Sequence, residues 1–142
     1  MKKLLLLALT IISISCSRLD IPEQTKMHFI ENVNSQSLPI IKLNVKGTDY
    51  VFLIDSGTPV SMIDSTIAYS NKLPVYKQEG TTTDKLVFLL ESKFYVKNLN
   101  VTKQCIEFHT GKEIDGIIGT DLLYSNKAVI NFDKEIIHNF KL

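Results

Sequence analysis

The chain has 142 residues, carries 16 Lys and Arg against 15 Asp and Glu for a formal charge of +1, and is 44% hydrophobic without a single Trp. Near-neutrality with no basic block excludes a nucleic-acid surface, because phosphate binding needs clustered Lys and Arg. The 22% of charged residues and the ordinary Gly and Pro counts exclude a collagenous or wholly disordered chain, and the length suits one domain.

The first segment inflates the hydrophobic figure: residues 1–15 supply ten apolar side chains. Met1-Lys2-Lys3 precedes an apolar run over residues 4–14, broken only by Thr10 and Ser13, and then Ser15-Cys16. A spanning helix needs about 20 apolar residues, whereas an export signal needs roughly 7–15 behind a basic start. Residues 1–15 are therefore read as a signal peptide. The small residue before Cys16 resembles the lipobox of bacterial lipoproteins, which implies a lipid on Cys16 and an exported, membrane-anchored protein of the cell envelope. The other reading is an ordinary signal peptide with Cys16 incidental. Residues 16–38, polar with scattered apolar side chains, suit a tether, and residues 19–30 within it could add an edge strand. Removal of the leader takes away Lys2 and Lys3 and leaves a charge balance of −1. With Cys16 lipidated, Cys105 has no partner within the chain, and its apolar surroundings predict a buried small hydrophobe.

The body, residues 39–142, reads as strands. Ile41, Leu43 and Val45 alternate with polar residues, Gly47-Thr48-Asp49 supplies turn chemistry, and residues 50–54 form a continuous apolar run. The pattern is a hairpin with one half-exposed and one fully buried strand. Asp64-Ser65-Thr66 predicts the capped start of a short helix over about 65–70. Residues 75–79 and 85–90 flank a hairpin tip that includes Gly80, Thr81, Thr82 and Thr83, and strands over 94–96 and 101–108 flank a second turn. Ile117-Ile118-Gly119 is an apolar strand ending in Gly, Thr120-Asp121-Leu122-Leu123 can open a short helix, and two strands close the chain. Many short strands with little helix predict an all-β barrel or sandwich.

Asp55 ends the buried run, where a carboxylate is desolvated at a cost unless it is hydrogen-bonded. Ser56 offers a hydroxyl, and Gly57 lets the backbone approach with its N–H free to donate. Alone, Asp-Ser-Gly is also a common turn tripeptide. His28, His109 and His138 lie far apart without ligand spacing, so no metal is expected.

Residues 52–63, Phe-Leu-Ile-Asp55-Ser56-Gly57-Thr58-Pro59-Val60-Ser61-Met62-Ile63, followed some sixty residues later by Ile117 to Leu123, resemble the two signatures of the retropepsin-like aspartic peptidases, the family of retroviral proteases and their bacterial relatives. The resemblance covers about residues 38–142. It implies a single-lobed, closed β-barrel with one or two short helices. It also implies an endopeptidase that needs no cofactor and acts on polypeptide substrates through paired carboxylates, Asp55 from each of two subunits of a homodimer. Ser56 would brace the paired loops, Gly57 would shape the cradle, and Thr58, Ile117, Ile118 and Gly119 would support it. Asp121 would cap the short helix or hold backbone N–H groups, and Gly80 to Thr83 would form a flap over the substrate. Flaps in the family are usually Gly-rich, and retroviral members often carry Arg where Thr120 stands. The second reading is a non-catalytic lipoprotein that captures a peptide or envelope component on the same scaffold.

Overall fold

The computed structural model describes residues 24–31, 37–81 and 84–142. The expected leader, the lipid-bearing Cys16, most of the tether, and Thr82 and Thr83 lie outside the described residues. In chain order the elements are β1 (Gln24–Glu31), β2 (Ser37–Val45), β3 (Thr48–Ile54), β4 (Met62–Asp64), α1 (Ser65–Ser70), β5 (Tyr76–Lys77), β6 (Lys85–Leu89), β7 (Ser92–Lys97), α2 (Asn100–Thr110), β8 (Gly116–Ile118), α3 (Thr120–Ser125), β9 (Val129–Asn131) and β10 (Ile136–His138). The architecture is mostly β, with three helices among the described residues rather than the one or two expected.

The strands form one sheet in the order β5-β6-β7-β4-β8-β3-β2-β1-β10-β9. Among the described residues the sheet is not closed into the expected barrel, and β5 and β9 are its edges. At the two ends, β5 has only two residues and β9 three, too little ladder to draw the edges together. β1, expected at an edge, lies inside, with Met27 beside Ile41 of β2 and Thr25 beside Ile137 of β10. Complete burial of the Met27 side chain accounts for that position.

The unbroken apolar run of β3 follows from cores on both faces of the sheet. Tyr50, Phe52 and Ile54 join Ile41, Ile63, Phe94, Val96 and Ile118 on one face. Val51 and Leu53 join Ile40, Met62, Ile117 and the α2 residue Ile106 on the other. Each large side chain buried here is worth about 2 kcal/mol. α1 begins as expected, with the Asp64 carboxylate accepting from Thr66 N and Ile67 N at 3.0 and 3.3 Å.

Residues 101–108 form helix α2 in place of the expected strand. Val101, Thr102, Ile106 and Phe108 have strand-like local preferences, but tertiary anchors override them. Asp64 Oδ2 accepts from Leu99 N at 3.0 Å, Asn98 Oδ1 from Asn100 N at 3.0 Å, and Gly111 stops the helix in a left-handed conformation with φ +65°. Leu99 and Ile106 face the sheet, whereas Val101 and Phe108 are 82% and 83% exposed. Cys105 is likewise exposed rather than buried, because the helix turns it away from Ile106.

Candidate functional site

β3 and β8 run parallel, pairing Leu53 with Ile117 and Ile54 with Ile118. Asp55 N then donates to Ile118 O at 3.0 Å, so the two sequence motifs meet where these strands end. A Cβ on Gly119 would lie 2.6 Å from Thr58 O and 2.7 and 2.8 Å from Val60 C and O. Backbone atoms cannot swing aside as a side chain can, so only glycine allows the two loops to cross. Beyond the crossing, Thr120 N donates to Thr58 O at 2.8 Å.

The carboxylate of Asp55 is held by its own loop: Oδ1 accepts from Gly57 N at 2.8 Å, and Oδ2 from Thr58 Oγ1 at 2.5 Å. Asp55 is half-buried while Ser56 and Gly57 are exposed, so the cradle opens to solvent. Asp121 does not cap α3, whose N-cap is Gly119. In line with the other expectation it holds backbone N–H groups, its Oδ1 accepting from Ser61 N at 2.9 Å and Leu122 N at 2.7 Å, and it also accepts from Ser61 Oγ at 2.6 Å. Ser61 Oγ in turn accepts from Gly119 N at 2.9 Å. This fully buried serine, to which the sequence reading gave no role, locks the Asp55 loop onto the Gly119 segment. Its sequence signal was its place in the motif over residues 52–63, at the Ser61-Met62-Ile63 step.

Gly80 and Thr81 lie exposed on the β5–β6 tip, where Thr81 N donates to Gln78 O at 3.3 Å. This hairpin is anchored at its base: Lys85 Nζ reaches the Tyr69 hydroxyl of α1 at 2.9 Å, and Lys97 Nζ reaches Asp84 Oδ1 at 2.7 Å. Among the described residues no group of His, Cys, Asp and Glu is arranged to hold a metal ion.

Two further acids sit behind the site. Burial pushes the Asp64 carboxyl up, but the N–H groups of Leu99, Ile67 and Thr66 and the Lys103 ammonium outweigh burial and hold it below the ordinary range. Lys103 Nζ stands 3.7 Å from Asp64 Oδ1. Burial holds Asp115 above the ordinary range, reinforced by Glu113 and Asp64 and opposed by Val51 N, which donates to it at 2.7 Å, and by Lys103. The two acids act oppositely on stability. Asp64 contributes stability above the unfolded value of about 3.9, and that contribution is lost as pH falls through its lowered folded value. Asp115 binds its proton more readily when folded, so its effect on stability improves as pH falls from neutrality towards about 4. Asp115→Asn keeps an acceptor for Val51 N and removes the charge. The expected result is a variant whose stability between pH 7 and pH 4.5 lacks this acid-side gain. Urea midpoints at the two pH values, equal in their difference for parent and variant, would refute this role of Asp115.

No protein-family model and no curated protein matches the chain. Among solved structures, the retroviral protease-like domain of Ddi1 from Leishmania major is 17% identical with a TM-score of 0.40, the match covering 66% of this chain and 81% of that one. A retropepsin-like aspartic protease from Rickettsia conorii is 16% identical with a TM-score of 0.43, covering 84% of this chain and 94% of that one.

Proposed function

We propose that this chain is an aspartic endopeptidase of retropepsin-like type, in which Asp55 of one subunit faces Asp55 of a second across a two-fold axis. The observation that carries the reading is the posture of Asp55. It is held at both oxygens by Gly57 N and Thr58 Oγ1, on an exposed loop locked against Gly119. A loop so braced can present its carboxylate to a matching loop, and a two-fold contact supplies the same residue twice. Two close carboxylates share one proton. The charged member takes a proton from the attacking water while the protonated member hydrogen-bonds the developing oxyanion. The apparent pKa values of such a site belong to the pair.

Hydrolysis of a mixed peptide library, together with sedimentation equilibrium, tests this. The expected result is cleavage by a dimer that fades as dilution yields monomer. A monomer at every concentration, with no cleavage, favours the second reading, a peptide- or envelope-binding module. Thr58→Val removes one donor to the Asp55 carboxylate while keeping its shape. Loss of that hydrogen bond frees the carboxylate to leave its pose, so peptide hydrolysis is expected to fall about tenfold at a stability cost of only about 1 kcal/mol. Unchanged hydrolysis would show that Thr58 does not position Asp55.

The same proposal divides the chain into a signal peptide over 1–15, a lipid-bearing Cys16 with a tether to residue 38, and a catalytic body over 39–142, placing the enzyme on a bacterial envelope membrane. Among the described residues no helix is long and apolar enough to cross a membrane. Palmitate labelling that is lost in Cys16→Ser checks the anchor.

A further inference from the structure

Pairing across the sheet sets one row of side chains on a single face: Leu53, Ile117, Met62, Tyr95, Leu86 and Tyr76, each beside the next on β3, β8, β4, β7, β6 and β5. Leu53 stands two residues before Asp55, so the row starts on the strand that leads into the Asp55 loop. Tyr95 also touches the site's brace, its N–H donating to Ser61 O at 2.9 Å. Helix α2 roofs the first part of the row, leaving Leu53 and Ile117 9% and 5% exposed. Beyond it Tyr95 is half-buried and Leu86 remains buried, while at the far end Tyr76 and the neighbouring Phe88 are 53% and 49% exposed, meeting edge to face at 6.1 Å.

Cations rim this open end. Lys93 and Lys97 flank Tyr95 on the same strand face, with their ammonium groups 5.1 and 5.8 Å from its ring centroid. Asp84 pairs with Lys97, whereas Lys93 is exposed and stacks on Tyr95 opposite Phe88. An exposed aromatic patch on the same sheet as the candidate active site, edged by positive charge, complements an extended segment that combines apolar or aromatic side chains with acidic ones.

The geometry points to a substrate-docking strip formed by Tyr95, Tyr76, Phe88 and Lys93, selecting polypeptide segments in which glutamate or aspartate flanks an apolar core. This deepens the proposed peptidase reading and rests on it for the word substrate, but binding to the strip does not require a working carboxylate pair. The test therefore uses full-length protein carrying Asp55→Asn and reads binding rather than cleavage. Fluorescence anisotropy is followed for two labelled peptides with the same Leu-Phe core, one flanked by glutamates and one by lysines. The glutamate peptide is expected to bind about tenfold more tightly at low salt, with the preference shrinking as salt is added. Lys93→Glu, at an exposed position, should remove or reverse that preference, and Tyr76→Ala should weaken both peptides about fivefold by loss of apolar contact. Equal binding of the two peptides overturns the assignment, as does a preference that survives Lys93→Glu. Cleavage assays on protein with Asp55 intact decide the peptidase reading separately, so failure of one is not mistaken for failure of the other.

Discussion

Asp55→Asn is expected to lower kcat for peptide hydrolysis by at least about a thousandfold while leaving the fold intact. The amide is nearly isosteric and still offers an acceptor to the Gly57 N–H or the Thr58 hydroxyl, which hold the carboxylate at 2.8 and 2.5 Å. What it cannot do is take a proton from water, and general acid–base catalysis by a positioned group contributes about 10²–10⁴-fold. In a homodimer one substitution removes both carboxylates at once, which places the loss at the upper end of that range. Asp55 is half-buried and belongs to no packed cluster, so unfolding midpoints should move by less than about 1 kcal/mol. Hydrolysis within tenfold of the parent, from a sample whose melting curve is unchanged, would remove Asp55 from the mechanism. Peptide binding is expected to persist, which separates loss of chemistry from loss of the cleft.

Gly119→Ala should cause a large loss of stability. The added carbon meets Thr58 O at 2.6 Å and Val60 C and O at 2.7 and 2.8 Å, and all three belong to the backbone of the loop that carries Asp55. Relief therefore requires the two loops to separate. That strains the Ser61 Oγ bridge between Gly119 N and Asp121 Oδ1, at 2.9 and 2.6 Å, and the 2.8 Å bond from Thr120 N to Thr58 O. Overpacking of this kind costs typically about 1–3 kcal/mol, and a weakened buried hydrogen bond adds about 1 kcal/mol. Denaturant unfolding should show a loss of about 3 kcal/mol, with activity falling further than stability because the Asp55 loop shifts. A variant as stable as the parent would mean that the loops do not cross as closely as the geometry requires.

Much of this site was legible before folding was considered. Asp55 stood out because a carboxylate at the end of five apolar residues needs local donors; Gly57 N supplies one as expected, whereas the hydroxyl comes from Thr58 rather than from Ser56. The start of α1 was legible for the same reason, since Asp64 reaches N–H groups only two and three residues on. The bond between Ser61 and Asp121 was not, because it joins residues sixty positions apart. Asp121 does hold backbone N–H groups as expected, but that one of them belongs to the buried Ser61 was not readable from spacing. Helix α2 was the largest departure: strand-like composition favoured a ladder, whereas Asp64, thirty-five residues earlier, captures Leu99 N and turns the chain into a helix.

The amino-acid sequence by itself determined the mostly β character, the two motifs and the carboxylate they serve, because these rest on alternation, turn chemistry and contacts within a few residues. Tertiary structure alone decided that the described sheet stays open, that α2 covers Leu53 and Ile117, and that Tyr76 and Phe88 remain exposed near the sheet's edge. Those features depend on which strands become neighbours and which buried acid finds which distant N–H. Local propensity carries no information about such pairings, since the free energy that selects them is gained only when remote segments exclude water together.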